Sequence, residues 1–199
     1  MKHLVALCGP VLFAVAGGVQ AQDWSGVYAG LQAANASGTY RHYDSGVISP
    51  ANTSPIDGDH LGGFVGFNLQ SGNLVYGAEL GYSNGDLLVG GSTIYFIEDM
   101  VDVRARVGYA AGKALFYGSV GWAMADQHWD DGVVTNSPVD VDGLSYGLGV
   151  DLMASDRVFV GLDYRHVKLV AGEGDIGGFP LVETNSDLDI LTLRVGMRF

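Results

Sequence analysis

The sequence predicts an all-β fold, specifically an eight-stranded antiparallel up-and-down transmembrane β-barrel with short periplasmic turns and long extracellular loops. Three observations favour this fold class. Apolar residues recur at every second position, which is the period of a strand with one apolar face. About eight such segments follow one another, each about 9–12 residues long. The connections between them alternate between short and long, as they do in up-and-down barrels that cross a membrane.

The strands and turns of this fold can be placed directly in the sequence. The predicted strands lie near residues 24–35, 60–70, 74–84, 99–110, 114–126, 140–152, 157–167 and 188–199. Tight-turn sequences rich in Gly, Ser, Asn or Asp occur at 71–73, 111–113 and 154–156. Long polar stretches occur at roughly 36–59, 85–98, 127–139 and 168–187. We expect the tight turns at the periplasmic end and the long stretches at the extracellular end.

The two faces of these strands differ in polarity, which separates a membrane barrel from a soluble one. One face carries Val, Leu, Ala, Tyr and Phe, and the other carries Gly, Ser and most of the strand charges. In a soluble lipocalin-like barrel the apolar face would line the interior. Glycine on the charged face suits a narrow eight-stranded interior instead, and aromatic residues near the strand ends of the apolar face suit two membrane interfaces. The aromatic residues in question are Tyr76, Tyr82, Tyr109, Trp122, Tyr146 and Tyr164.

The last twelve residues, "LDILTLRVGMRF" (188–199), form the clearest amphipathic strand. Leu191, Leu193, Val195, Met197 and Phe199 share one apolar face. In hydrocarbon every backbone N–H and C=O group must be paired within the protein, so a sheet crosses a bilayer only when it closes on itself. The last strand is therefore expected to pair with the first and to turn its apolar face to lipid.

Residues 1–21 have the features of a cleaved secretory signal peptide, which leaves 22–199 as the barrel domain. Lys2 gives a basic start, residues 4–15 form a mostly apolar run, and Ala21 ends a small-x-small cleavage sequence. Cys8, the single cysteine, lies in this segment, so no disulfide framework is expected in the exported chain. The formal net charge of −12 disfavours a nucleic-acid partner.

Three stretches resemble the Omp25/Omp31-type outer-membrane β-barrel proteins of proteobacteria, a porin-family group with an OmpA-like transmembrane barrel. The opening "DWSGVYAGLQAA" (23–34) is similar to the Trp-x-Gly-x-Tyr-x-Gly first strand of that family. "VFVGLDYRHVKL" (158–169) is similar to its seventh strand, and "TLRVGMRF" (192–199) to its C-terminal strand. The resemblance implies a location in the bacterial outer membrane. It also implies that Leu193, Val195, Met197 and Phe199 form the signal that the barrel-assembly machinery reads.

Charged residues at mid-strand positions of the charged face are the main candidate site. They are Glu79, Arg104, Arg106, Asp163, Arg165 and Arg194. A charge in a narrow interior is costly unless it is paired, so we expect a lumen charge network of carboxylates and guanidinium groups. Such a network either fills and stiffens the barrel or serves as an ion path. A wide diffusion pore is not expected for eight strands.

The remaining polar residues predict no catalytic, cofactor or metal site. Acidic residues gather in and beside the long stretches, where they either keep the loops solvated or hold divalent cations against lipopolysaccharide phosphates. His42, His60, His128 and His166 suggest a catalytic pair or haem ligation, and the resemblance implies haemin binding or a lipid A-modifying hydrolase as the corresponding alternatives. No serine or other nucleophile stands at the spacing from these histidines that such a hydrolase requires.

We expect a structural or surface-interaction protein without enzymatic activity, and a narrow porin-like channel or a haemin receptor is the alternative. The expected partners are outer-membrane lipid and lipopolysaccharide, with the assembly machinery and periplasmic chaperones during biogenesis. Host, phage or haem contacts would be made through the loops.

Overall fold

The computed structural model describes residues 22–42, 53–129, 139–171, 174–176, 179–181 and 184–199. Within these ranges the chain is built of strands. They are β1 (Gly26–His42), β2 (Thr53–Ser71), β3 (Leu74–Asn84), β4 (Leu87–Val89), β5 (Ser92–Ala111), β6 (Ala114–Trp129), β7 (Val139–Met153), β8 (Val158–Ala171), β9 (Gly174–Ile176), β10 (Phe179–Leu181) and β11 (Thr184–Arg198). In the ranges described, no helix has the length and apolar character needed to cross a membrane.

The sheet closes into a barrel through the first and last long strands. Around the ring the order is β1, β11, β8, β7, β6, β5, β3 and β2, and β2 pairs with β1 again. All these pairings are antiparallel, and the closing pair runs from Tyr28 opposite Arg198 to His42 opposite Thr184. The short strand β4 pairs with both β2 and β5, so it continues the line of β3. The predicted eight-stranded antiparallel barrel is therefore confirmed.

The strands run further toward the loop end than the sequence analysis predicted. β5 has 20 residues and β2 has 19, whereas a strand tilted across a bilayer needs about 9–11. Residues of the predicted loops 36–59, 85–98, 127–139 and 168–187 therefore belong partly to strands, and His128 is a strand residue. The prediction failed there because the outer faces of these extensions are polar, so the alternation with apolar residues stops. The opposite error occurs at Trp24, which precedes β1 although it was placed in a strand.

The outer wall carries an apolar band with a polar belt at its loop end. Leu148 and Leu193 are 69 % and 64 % exposed, and the tyrosines and tryptophan named above face outward as well. Further toward the loop end, the outward positions of the same strands become acidic, as at Asp142 on β7 and Asp189 on β11. An apolar band of this extent on the outer wall faces lipid, because exposing so large an apolar surface to water is unfavourable.

The interior consists of three layers along the barrel axis. An apolar, mainly aromatic cluster lies at the tight-turn end: Trp24, Tyr28, Phe64, Val75, Ala110, Leu115, Tyr117, Met153 and Phe159. A charged layer follows. A second apolar cluster lies toward the loops: Ala34, Ala36, Tyr40, Ile56, Leu87, Val89, Ile97, Met100, Ala123, Ala125, Val141, Val167, Leu169, Leu188 and Ile190. The alternation of the strands predicts a charged interior and gives no sign of either apolar layer. Residues 1–21, the predicted signal peptide, lie outside the described ranges.

Candidate functional site: the charged layer inside the barrel

Glu79 on β3 is the centre of the charged layer and accepts hydrogen bonds from three arginines. Its Oε1 receives Arg104 Nε and Arg194 Nη1, each at 3.0 Å. Its Oε2 receives Arg106 Nη1 and Arg194 Nη2, each at 2.7 Å, and the hydroxyl of Tyr28 at 2.9 Å. Arg104 also donates through Nη2 to Oε1. One carboxylate thus joins strands β1, β3, β5 and β11.

Three aspartates complete the pairing of the arginines. Asp163 Oδ1 accepts from Arg104 Nη1 at 2.9 Å and lies 3.1 Å from Arg165 Nε. Arg106 Nη2 donates to Asp151 Oδ2 at 2.7 Å, and Arg165 Nη1 donates to Asp102 Oδ1 at 2.7 Å. Each arginine therefore has at least one carboxylate partner across the lumen or along the wall.

The charges of this layer balance, and water does not reach its side chains. Within the described ranges it contains four arginines and four carboxylates, so the formal charges cancel. The residue exposures of the six predicted site residues range from 0 % for Asp163 to 4 % for Arg106. Side chains that line a water-filled channel would keep accessible area. At this level the barrel is closed by its own side chains.

Aromatic rings of the neighbouring layer stack against the guanidinium groups. Arg106 Cζ lies 3.7 Å from the ring centre of Tyr117, and Arg194 Cζ lies 3.9 Å from that of Phe64. A guanidinium over a ring face is attracted by the ring quadrupole, and more strongly where water is excluded. Tyr117 also donates its hydroxyl to Asp163 Oδ2 at 3.0 Å, so one side chain serves both the aromatic and the charged layer.

Inward glycines make room for these rings, as the glycine content of the charged face indicated. A Cβ atom on Gly149 would lie 2.3 Å from Cζ of Tyr117, and one on Gly66 would lie 2.4 Å from Cζ of Tyr28. Such separations are far below van der Waals contact. Each ring therefore occupies the space beside a glycine of the adjacent strand, and these positions accept no side chain without displacing the ring.

The structure brings all six predicted residues into one connected network: Glu79, Arg104, Arg106, Asp163, Arg165 and Arg194. The network also contains Asp102, Asp151, Tyr28 and Tyr117, which the predicted network lacked. The two aspartates alternate onto the charged face, so parity alone could have included them. Tyr117 gave no such signal, because Phe116 beside it is apolar too and only one of the two can face inward.

The side chains of His60, His128 and His166 lie in the described part of the chain, whereas that of His42 lies outside it. His166 lies on the outer wall, where its Nδ1 is 2.8 Å from Asp189 Oδ1 and its ring contacts Tyr146. His60 is buried inside the barrel. His128 stacks on Phe96 at a centroid distance of 5.2 Å. These three side chains have different neighbours.

The four residues of the predicted C-terminal signal lie on the outer wall of β11 and just beyond it. Leu193, Val195, Met197 and Phe199 are all exposed, Phe199 at 70 %. The backbone N of Phe199 donates to Val27 O at 2.9 Å, which ties the end of the chain to the start of β1.

A closed antiparallel barrel with an apolar outer band and a charged interior defines an outer membrane β-barrel protein of bacteria. Comparison with known proteins identifies the particular family. The chain belongs to the outer membrane protein β-barrel domain family, whose model matches residues 6–199. It is 31 % identical to a 22 kDa outer membrane protein of Rhizobium leguminosarum bv. viciae over 187 residues, covering 90 % of this chain and 80 % of the relative.

A second relative agrees with this assignment, and two solved structures share the fold. The 25 kDa outer-membrane immunogenic protein of Brucella abortus is 26 % identical over 185 residues, covering 89 % of this chain and 79 % of the relative. The outer membrane protein OprG from Pseudomonas aeruginosa covers 92 % of this chain and 99 % of its own, with 14 % identity and a TM-score of 0.53. Neisserial surface protein A covers 88 % and 98 %, with 14 % identity and a TM-score of 0.50. The Omp25-type resemblance and the outer-membrane location are thereby confirmed. These relatives are named as outer membrane proteins and not as enzymes.

Proposed function

We propose that this protein is a non-conducting, non-catalytic anchor that stiffens the outer membrane and presents its loop end to the cell surface. The observation that carries the proposal is the charged layer, whose side chains are buried and paired across the whole lumen. A conducting pore needs a hydrated path, and here guanidinium and carboxylate groups occupy the space that water would fill.

The pairing of the charges also favours a structural role over an ionic pathway. An arginine bound to two carboxylates in a low-dielectric interior has little freedom to swing aside for a passing ion. Glu79 joins side chains from β1, β5 and β11, so the layer braces the barrel from inside. The resulting cylinder is rigid, which suits a protein that holds loops at a fixed height above the bilayer.

Partners follow from where each surface lies. The apolar band would contact acyl chains, and the polar belt at the loop end would lie among lipopolysaccharide headgroups. Loop-mediated contacts with host, phage or haem belong to this proposal as well. During biogenesis we expect periplasmic chaperones and the barrel-assembly machinery to bind the chain, the latter at Leu193, Val195, Met197 and Phe199.

Planar-bilayer recordings test the non-conducting state. The purified barrel should give no stepwise current, while a general porin in the same bilayer gives steps. Heat-modifiable mobility on a detergent gel, measured on the same purified preparation, verifies that the protein is folded. Reproducible current steps from the folded barrel would instead favour the narrow channel.

Detergent resistance of two strains tests the structural part of the proposal. A deletion strain should lose resistance to detergents, and the wild-type gene should restore it. A variant with residues 130–138 replaced by a Gly/Ser linker should also restore it if the barrel alone is sufficient. Unchanged detergent resistance in the deletion strain would overturn the structural part of the proposal.

Mass spectrometry of lipid A from the same strains tests the alternative of a lipid A-modifying hydrolase.

A further inference from the structure

The four residues before β1 leave the barrel wall and cross its periplasmic mouth. Around the ring, β1 is separated from the β5–β6 hairpin by β2 and β3 on one side and by β11, β8 and β7 on the other. Even so, the backbone N of Gln22 lies 2.9 Å from the carbonyl oxygen of Gly112, in the β5–β6 turn. Four extended residues reach about 13 Å. We call this segment, residues 22–25, the strap.

The strap inserts one large side chain into the mouth of the barrel. Trp24 is only 2 % exposed, and its ring meets the edge of Phe159 at a centroid distance of 6.0 Å. It is part of the aromatic cluster that closes the tight-turn end of the interior. Its indole nitrogen has no hydrogen-bond partner in the described part of the chain. The ring therefore contributes by filling space and excluding water.

Polar contacts fasten the strap to two sides of the mouth. The backbone N of Trp24 donates to Gln70 Oε1 at 2.7 Å, and Gln70 Nε2 donates to Gly72 O in the β2–β3 turn at 2.8 Å. The Arg198 guanidinium donates to the carbonyl oxygens of Asp23 and Ser25. Hydrogen bonds from Ser25 hold the pKa of the Asp23 carboxyl below its usual value, so this carboxylate stays ionised close to Arg198.

A glycine permits the turn from the strap into the wall. Gly26 has a φ of +117°, a backbone conformation that residues with a Cβ atom rarely adopt. A Cβ atom at this position would also lie 3.1 Å from the carbonyl oxygen of Phe199. Gly26 is therefore the hinge at which the chain bends inward over the lumen.

We propose that the strap is a stopper that closes the periplasmic mouth of the barrel, with Trp24 as the plug and Gly26 as the hinge. Cleavage after Ala21, as the signal-peptide pattern predicts, would make the nitrogen of Gln22 the terminal amine that donates to Gly112. The strap is independent of the charged layer deeper in the lumen. Opening it admits water to the aromatic cluster without creating a conducting path.

Thiol labelling of a buried site beneath the strap tests the stopper. The single natural cysteine is Cys8 in the predicted signal peptide, so a cysteine introduced at Val75 reports without background. Val75 lies in the aromatic cluster and is 2 % exposed. In the folded barrel in detergent, Val75→Cys should react slowly with a membrane-impermeant maleimide. Adding Trp24→Ala should raise the rate at least about tenfold, because opening of the strap controls access to the buried thiol.

Matched variants keep this test decisive. Trp122→Ala removes a tryptophan from the outer wall and should leave the labelling of Val75→Cys unchanged, while Lys113→Cys on an exposed turn gives the unprotected rate. Gly26→Ala tests the hinge with Trp24 intact and should also accelerate labelling, and Gly118→Ala on the outer wall should not. Heat-modifiable mobility verifies that each variant is folded.

If Val75→Cys still reacts slowly with the maleimide in the folded Trp24→Ala and Gly26→Ala variants, the strap does not close the mouth. Rapid labelling of Val75→Cys with the strap intact would also overturn the proposal. Because the charged layer is untouched, the strap variants should remain silent in bilayer recordings. Current steps from a folded strap variant would show that the strap itself blocks conduction. They would contradict the proposal that the charged layer blocks conduction independently of the strap.

Discussion

Glu79 and Arg194 lie 115 residues apart in the chain and meet inside the barrel through two hydrogen bonds, of 3.0 Å and 2.7 Å. The pair connects β3 with β11, which are separated around the ring by β2 and β1. No local pattern links the two positions. Their contact therefore depends on closure of the sheet, and it in turn resists separation of the strands that close it.

Replacing Glu79 with glutamine should destabilise the barrel by about 3–5 kcal/mol, because three arginines lose their shared negative partner in a low-dielectric interior. Urea unfolding of the refolded protein in detergent or lipid measures this loss. Asp140→Asn, on the exposed outer face of β7, removes the same charge and should change stability by less than about 1 kcal/mol. Equal effects of the two variants would contradict the central role of Glu79.

Removing both members of the Glu79–Arg194 pair should cost less than the two single losses together. With leucine at both positions the layer keeps three arginines and three aspartates, so its charge stays balanced. A double-mutant cycle of unfolding free energies measures the coupling between the positions. Strictly additive losses would show that each residue acts through other partners.

The outer wall should tolerate charge according to depth. Leu148→Arg, in the apolar band of β7, should cost about 2–4 kcal/mol in lipid, whereas Asp140→Arg in the polar belt of the same strand should cost about 0–1 kcal/mol. Unfolding in lipid vesicles gives both values.

A bilayer quencher should also reach a probe at Leu193 and not one at the neighbouring Arg194. The reverse quenching pattern would invert the assignment of the two faces.

Truncating the last side chain should impair assembly in the cell more than stability in vitro. Phe199→Ala keeps the backbone bond to Val27 and removes an exposed ring, so the refolded protein should unfold at nearly the same urea concentration. Its amount in the outer membrane should fall. Leu191→Ala removes an exposed apolar side chain of β11 further from the end, and its assembly should be near normal. A matching loss of yield for both variants would argue against a terminal signal.

The closed sheet was predictable because each strand of a membrane barrel alternates between apolar residues that face lipid and polar or small residues that face the interior. The alternation at Leu144, Tyr146 and Leu148 gave both the strand and its outward face. This alternation stops at the edge of the apolar band, because outward residues beyond it do not contact lipid. Beyond the apolar band, Asp57 and Asp59 still occupy outward positions of β2, but an acidic residue in a strand that faces water resembles one in a loop. The extensions into the loop end were invisible for this reason.

The charged site was predictable in its membership and not in its connections. Parity placed Arg104 and Asp163 on the inner face, and the cost of burying a charge required that they find partners. Which carboxylate meets which arginine depends on the stagger of the barrel and on long side chains reaching across it. The strap was hidden for a different reason. Trp24 stands two residues before the first strand residue, Gly26, and Trp-x-Gly reads as a continuation of that strand.

The inner apolar cluster near the loops gives the exposed end of the cylinder a dry core of its own. Ile56, Leu87 and Ile190 meet there behind a hydrophilic exterior, which is the arrangement found in water-soluble proteins. That end holds its shape by internal packing and does not rely on hydrocarbon around it. Substitutions in the loops that join the strands at this end should therefore leave the membrane-embedded part of the barrel unchanged.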